Sequence, residues 1–458
     1  MDLPEQNLTV NIEYKQQFGE VHTPYALIEK MFSLFTPSVF ADPNKRWLDP
    51  GSGRGYFSLY LYEKLMIGLE SSIPNKTKRS EHILTNMIWL VEFNSEHLEH
   101  LKKTFVNVIH ADYLSDEIST NSTNSTNSNK FGVEFGFGFD FIIGNPPFNF
   151  GGLKKVPTNN ERSKKHDGQT VWSKFIKQSV SLLKTNGYLL FIVPSIWMKH
   201  DKEDMYFYMT QFKLHKIHCL TNTEMNAYFK GHAQTPSCYF LLEKKDTDKK
   251  VLLYDKDYMN YVPFTLRPEH IIPVSCARVL DKILPYVDKY GALTQIIKTN
   301  LPSKTITFSQ NRTKTHPHPN IKTCIIKNKI YPELIIEYSN QQCPYAGKKK
   351  VVLAHGMYGF PVIDSDGTYG ISNRDKYVFL SDNPHHLEKV RHFLSTDLVF
   401  YLYDATRYRM KYLEKYIFTY LPNVINMSTE EITDMITHIA IPHNKNKYVT
   451  IKIKEINI

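Results

Sequence analysis

No stretch of the 458 residues approaches the roughly 20 consecutive apolar residues of a membrane-spanning helix. The opening MDLPEQNLTV has neither the basic nor the apolar region of a secretory signal. Membrane and export readings are set aside on that basis. Cysteine is scarce: Cys219, Cys238, Cys276, Cys324 and Cys343 are scattered, with no Cys-x-x-Cys and no close Cys/His pairing of the kind that makes a zinc ribbon. An odd, dispersed set fits a reducing intracellular compartment, cytoplasm or nucleoid. Metal is not expected either, because His316-Pro-His318-Pro and His385-His386 lie near no other candidate ligand along the chain. No internal repeat of useful length occurs.

What is present is ample material for a core. Hydrophobic residues make up 41%, aromatics 13% and charged residues 22%, the profile of a globular chain. The length points to at least two domains. Fifty-six Lys and Arg against 46 Asp and Glu give a net charge of +10, which suits a polyanionic partner without identifying one. The Asn-, Lys- and Ile-rich composition suits an AT-rich genome, a virus among the possible sources.

The first part of the chain alternates short apolar runs with helical patterns, as βαβ units of a mostly parallel sheet do. Seven strands are expected, over residues 47–49, 88–92, 106–109, 139–143, 188–193, 216–220 and 238–242. Helical spacing of Leu27, Ile28, Met31, Phe32 and Phe35 after Pro24, and of Val171, Phe175, Ile176, Val180 and Leu183 before Asn186-Gly187, predicts amphipathic helices against that sheet. The fold class is α/β, a Rossmann-like doubly wound sheet. Residues 68–87 are polar and turn-rich where a helix should lead directly into a strand, and read as an insertion. Residues 119–129 (STNSTNSTNSN) have no apolar side chain and are expected to be a mobile loop. The charged run 244–250 sets the boundary between a domain over 1–245 and a C-terminal domain over 246–458 of mixed strands and helices. There, Val351-Val352-Leu353-Ala354 leads into Gly356, Gly359, Gly367 and Gly370, strands joined by tight turns.

Chemistry concentrates in the first domain. Asp49-Pro50-Gly51-Ser52-Gly53-Arg54-Gly55 follows a short apolar strand and precedes a helical pattern, so backbone can approach a ligand closely near a helix N-terminus. Glu92 ends the next expected strand, where a carboxylate can accept both hydroxyls of a ribose, and Asp112 follows the third. Taken singly, each is an ordinary strand-end acid. Then Phe141-Ile142-Ile143 runs into Gly144-Asn145-Pro146-Pro147-Phe148. Two prolines remove two N–H donors and leave rigid carbonyl acceptors beside the Asn145 amide oxygen, a site for the two hydrogens of one amino group. Phe148 adds a flat face for a planar base.

These motifs together resemble the amino-group methyltransferases that use S-adenosyl-L-methionine, and among them the N6-adenine DNA enzymes with an Asn-Pro-Pro-Phe/Tyr signature, over residues 15–245. Gly19-Glu20-Val21-His22-Thr23-Pro24 looks like the family motif at the methionine end of the cofactor. Its place ahead of the glycine loop is similar to the gamma class and to the modification moiety of Type IIG restriction enzymes. The resemblance implies that Thr23, Asp49, Gly51, Gly53, Glu92, Asp112 and Pro147 surround the cofactor, with Glu92 at its ribose and Asp112 at its adenine amino group. It implies that Asn145, Pro146, Pro147 and Phe148 are the catalytic tetrapeptide, and that Phe229, ahead of residues 238–242, packs against a flipped base. Residues 351–375, with Gly-Phe-Pro at 359–361 and Asp-Gly-Thr-Tyr-Gly at 366–370, resemble recognition-region segments more loosely. Lys348, Lys349, Lys350, Arg374, Arg407 and Arg409 are candidates for contacts to phosphate or base edges. Residues 149–168, with Lys154, Lys155, Arg162, Lys164 and Lys165, are expected to form a loop that closes on DNA.

The expected reaction is methylation of adenine N6 in double-stranded DNA, flipped out of the stack. Cytosine-C5 chemistry needs an activated cysteine, typically after proline in that family, and the chain has no Pro-Cys dipeptide. N4-cytosine, adenine in RNA and a protein glutamine present the same planar amino group and stay open, as does a catalytically silent DNA-binding module. Only some 15 residues precede the first motif, so a fused N-terminal nuclease is not expected. A separate restriction endonuclease is the possible partner, and a monomer the default assembly.

Overall fold

The computed structural model describes residues 3–115, 138–151, 169–327, 331–355, 361–408 and 413–442. The 119–129 tract, Lys154, Lys155, Arg162, Lys164, Lys165, Gly356, Gly359 and Arg409 lie outside them. The chain divides into two units, Met1–Tyr254 and Asp255–Ile458.

The main sheet contains β1 (Trp47–Asp49), β2 (Ile88–Glu92), β3 (Asn107–His110), β4 (Phe139–Gly144), β5 (Leu183–Pro194), β6 (Phe212–Leu220), β7 (Ser237–Asp246), β8 (Lys250–Asp255) and β9 (Asn260–Thr265), in the order β9-β8-β6-β7-β5-β4-β1-β2-β3. Strands β3, β2, β1, β4 and β5 run parallel, and β7 is antiparallel to both β5 and β6. All seven expected strands are present, and among the described residues the sheet has nine. The two further strands alternate buried with part-exposed residues (Lys250–Asp255) or are largely exposed (Asn260–Thr265). The first has an apolar run of its own, Val251-Leu252-Leu253-Tyr254, but it directly follows the charged segment 244–250 that reads as a domain boundary.

Register explains the packing. Trp47 lies opposite Phe141, and Phe141 opposite Tyr188. Their rings therefore stack across three strands, with centroids 4.0 and 5.5 Å apart, pairs worth about 0.5–1.5 kcal/mol each beyond burial. Helix α1 (Ile12–Phe18) is capped by Asn11, whose side chain accepts from the Glu13 and Tyr14 amides. Helix α2 (Tyr25–Phe32) buries Leu27, Ile28, Met31 and Phe32 as the spacing predicts. Helix α3 (Tyr56–Gly68) follows the glycine loop. Residues 68–87, polar and turn-rich in sequence, take regular structure. They form helix α4 (Lys76–His82), capped by Asn75, and one wide turn over Ile83–Met87 that buries Ile83 and Met87 completely. Arg79 holds this segment by donating to the Ile73 and Pro74 carbonyls. Helices α5 (Ser95–Lys102), α6 (Trp172–Leu182), α7 (Met205–Thr210) and α8 (Asn222–Tyr228) complete the described helices of this unit. No described helix is long and apolar enough to cross a membrane.

From β1 the chain moves through β2 to β3 on one side, and from β4 through β5 onward on the other. The crevice between the carboxyl ends of β1 and β4 is thus a topological switch point, where open α/β sheets bind ligands. The glycine loop leaves β1 there, and Asn145 leaves β4 there.

The second unit has two four-stranded sheets. One is built around Lys350–Ala354, paired antiparallel with Pro361–Asp364 and Lys376–Leu380. The other is built on the long antiparallel pair His318–Lys327 and Tyr331–Ser339. Ile321, Val352, Ile371 and Val378 are buried together in one core.

Candidate active site

The glycine loop is built for close approach. Gly53 and Gly55 adopt φ of 52° and 78°, a backbone region glycine enters without strain. A side chain at Gly55 would meet Leu101 at 2.8 Å, whereas Gly53 faces open space. Ser52 fixes the loop to β2, its N–H and Oγ both donating to the Val91 carbonyl at 3.1 Å. Glu92, at the end of β2, accepts from the Gly53 amide at 2.6 Å and the Asn94 amide at 2.7 Å. Burial raises its carboxyl above the usual range, against the pull of those two N–H groups.

Asp49 is buried behind the loop. Its Oδ2 accepts from Ser58 Oγ at 3.0 Å, while Oδ1 has no partner among the described residues. Gly144 makes room for that oxygen, since a Cβ there would stand 3.2 Å from it. Burial pushes the Asp49 carboxyl up to about 7. A buried acceptor without a partner calls for a physical explanation, and a donor or cation brought by a ligand supplies one.

Segments far apart in sequence meet at Asn145-Pro-Pro-Phe148. A Cβ on Gly51 would lie 3.7 Å from Pro147, and Gly19, at φ 71°, is so close that a Cβ would sit 2.4 Å from the Asn149 carbonyl. Asn145 Nδ2 donates to Thr23 Oγ1 at 3.0 Å. The amide nitrogen is thereby occupied, and its oxygen is left without a protein donor among the described residues. Gln6 braces Thr23 from behind, Nε2 donating to the Thr23 carbonyl and Oε1 accepting from the Tyr25 amide at 2.7 Å. Phe148 is half-buried, and its carbonyl accepts from the Val171 amide. Phe229 follows α8, whose Tyr228 hydroxyl accepts from Lys30 Nζ of α2 at 2.6 Å.

A cavity of about 580 Å³ opens over these groups, within the range of roughly 300–1,000 Å³ usual for small-molecule sites. Its wall includes Thr23, Gly51, Gly53, Glu92, Asp112, Asn145, Pro146, Pro147, Phe148 and Phe229. Of the residues that the resemblance assigns to cofactor, catalysis or flipped base, Asp49 alone is absent from that wall. Asp112 is exposed and accepts from the Leu114 amide at 2.9 Å.

Sequence reasoning missed one cluster. Glu20 contacts His22 Nε2 at 3.2 Å and His97 Nε2 at 3.0 Å, and both histidines are buried. Burial would raise Glu20, but the two histidines and Asn94 outweigh it and hold the carboxyl low. Burial pushes His22 down to about 4. For His97 the same burial is overcome by Glu20, and its pKa rises. Asn94 links this cluster to Glu92. The only sequence signal was the alternation of Glu20 and His22 just before Thr23. Among the described residues no group of three or more His, Cys, Asp and Glu is arranged to hold a metal.

The chain is similar to several known proteins. Residues 57–226 match the family described as Eco57I restriction-modification methylase. The chain is 23% identical to an uncharacterized adenine-specific methylase of Mycoplasma pneumoniae, covering 39% of this chain and 56% of that protein. It is 27% identical to the Type II methyltransferase M.PaeR7I of Pseudomonas aeruginosa, covering 34% and 28%. Among solved structures, the modification subunit of a putative type I restriction enzyme from Vibrio vulnificus YJ016 aligns with a TM-score of 0.36 and 16% identity, over 53% of this chain and 48% of that one. The chain thus spans about a quarter to just over half the length of the two named sequence relatives.

Proposed function

We propose that the chain is an S-adenosyl-L-methionine-dependent DNA methyltransferase of the restriction-modification kind, acting on the N6 amino group of adenine in double-stranded DNA. The observation that carries this reading is the Asn145 amide. With Nδ2 held by Thr23, Oδ1 is left as an acceptor on a cavity wall, beside the Pro146 carbonyl, which receives no hydrogen bond from the described residues. Two acceptors and no donor is the pattern a planar amino group requires. The sequence relatives named as adenine-specific and Type II methyltransferases support the same substrate.

S-adenosyl-L-methionine, when bound, supplies an electrophilic methyl group on a positively charged sulfur. The residues present fit it. Glu92 offers a buried carboxylate for the ribose hydroxyls, Asp112 an acceptor at the rim for the adenine amino group, and Gly53 open space for close approach. Asp49 offers an unpartnered buried oxygen for a donor at the methionine end. Adenine N6 is a poor nucleophile because its lone pair is delocalised into the ring. Accepting both its hydrogens at Asn145 and Pro146 favours a more pyramidal, more nucleophilic nitrogen. Phe148 provides a face for the flipped base, and Phe229 a second apolar surface. Flipping costs a few kcal/mol, offset by that stacking and by contacts from the second unit, which we assign as the target-recognition domain. The protein thus works by positioning and by fixed dipoles in a desolvated pocket. A cognate endonuclease encoded separately, and action as a monomer, complete the proposal.

The test is transfer of labelled methyl from S-adenosyl-L-methionine to unmethylated duplex DNA, RNA and protein in parallel, with nucleoside analysis of the product. N6-methyladenine in DNA, lost in Asn145→Ala, supports the reading. Label confined to RNA or protein overturns the assigned substrate.

A further inference from the structure

From Lys289 through Pro332 the chain contains not one Asp or Glu, although acidic residues average one in ten over the whole sequence. The same stretch carries Lys289, Lys298, Lys304, Arg312, Lys314, Lys322, Lys327 and Lys329. An ordinary solvated surface intersperses both signs of charge, so a surface segment with only one sign asks for an explanation.

The structure separates neutralised cations from available ones. Lys322 is paired with Glu337 at 3.0 Å. Two residues singled out in the sequence as phosphate or base contacts are likewise engaged. Lys350 is fully buried against Asp364, and Arg407 is paired with Asp404 at 2.8 Å. Lys304, Arg312 and Lys314 are exposed, and among the described residues none has an ion-pair partner.

The three lie on a segment held in shape. Phe308–Ser309 forms an edge strand against Ser339 and Tyr338. Thr307 accepts from the Asn340 amide, and its own amide donates to Asn340 Oδ1 at 2.9 Å. Thr313 and His316 exchange backbone hydrogen bonds, closing a tight turn with Arg312 and Lys314 on either side of Thr313. The His316 ring is held between Thr307 Oγ1 at 3.0 Å and Thr315 Oγ1 at 3.1 Å. Between the cations the segment exposes Thr305, Thr307, Gln310 and Asn311. Lys, Arg, Thr, Gln and Asn are the side chains that contact phosphate oxygens in protein–DNA complexes.

We infer that residues 303–316 form a backbone-binding face for duplex DNA, with Lys304, Arg312 and Lys314 placed on phosphates. This rests on the DNA reading of the active site and gives the second unit a defined contact surface. Its contribution is independent of base sequence, because phosphate contacts set register and orientation while base edges specify the target.

The experiment compares the wild-type full chain with Lys304→Gln/Arg312→Gln/Lys314→Gln, titrating a mixed-sequence duplex over a range of salt. Each phosphate contact contributes about 0.9 to the slope of log affinity against log salt, so the triple variant should lose about 2.7 from that slope. Raising salt from about 50 to about 200 mM should then cost the wild type about 40-fold more affinity than the variant. Unchanged S-adenosylhomocysteine binding and unchanged thermal unfolding show that both units remain folded. The same substitution at three other exposed lysines, Lys76, Lys78 and Lys103, should leave the slope as it is. A triple variant with the wild-type slope, or an equal loss in the control variant, overturns the inference while leaving the active-site reading in place. A wild type that retains RNA but no duplex DNA overturns both.

Discussion

The Thr23 hydroxyl is predicted to set the orientation of the Asn145 amide, and Thr23→Val tests that with little change of shape. In the wild type Asn145 Nδ2 donates to Thr23 Oγ1 at 3.0 Å, and Thr23 is only 4% exposed. Replacing the hydroxyl by methyl leaves an amide donor facing an apolar group, which costs about 1–3 kcal/mol. The amide escapes that cost by turning over, and then presents a donor to an amino group that is itself a donor. The same 1–3 kcal/mol taken from stabilisation of the reacting geometry slows transfer by about 5- to 150-fold. The assay is single-turnover methylation of unmethylated DNA at saturating cofactor, so that weaker cofactor binding does not enter the rate. Thr23→Ser keeps the acceptor and should restore most of the wild-type rate. Full speed in Thr23→Val, or a Thr23→Ser variant as slow as Thr23→Val, refutes the positioning role.

Two further outcomes follow from buried charges. The folded-state pKa of Asp49, about 7, lies above its ordinary value of 3.8. Its contribution to stability is therefore full below about pH 4 and lost as pH rises through 7. Relative to Asp49→Asn, the wild type should lose about 3 kcal/mol of unfolding free energy between pH 5 and pH 8, read by denaturant titration at both values. A difference that stays flat or grows with pH contradicts this. In the second unit, Lys350 is buried with its ammonium donating to the Tyr345 and Lys348 carbonyls and to Asp364, which also accepts from the Thr368 and Tyr369 amides. Lys350→Met strands a buried carboxylate, at a cost of about 3–5 kcal/mol. Calorimetry should show the second unit melting about 10 °C lower with S-adenosylhomocysteine binding unaffected, and an unchanged melting temperature contradicts the account.

The parts legible in the sequence are those where one residue type has one physical use. The central strands are buried on both faces, so their apolar runs stood out. Three alternating glycines and a double proline constrain backbone so tightly that they marked two segments, and Gly51, Gly53, Pro146 and Pro147 do line one cavity. What escaped depended on partners distant in the chain. Strands Lys250–Asp255 and Asn260–Thr265 follow a charged run that reads as a boundary, and only the place of the first beside β6 reveals the longer sheet. Helix α4 is polar by composition and is anchored through Arg79 and the buried Ile83 and Met87. Lys350 looked like a surface cation because nothing local announces Asp364. The Glu20, His22 and His97 cluster joins two segments that no spacing rule connects. Gln6 lies ahead of every recognised motif, yet it holds Thr23, and through Thr23 the Asn145 amide.

In the proposed reaction Asn145 and its neighbours present two acceptors to the amino group of adenine in DNA. Its most direct test is nucleoside analysis of unmethylated duplex DNA after incubation with the full chain and labelled S-adenosyl-L-methionine, alongside Asn145→Ala. Label is expected in N6-methyladenine with the wild type and none with the variant, while both bind S-adenosylhomocysteine. Label in N4-methylcytosine, in RNA or in protein, or undiminished N6-methyladenine from Asn145→Ala, contradicts it.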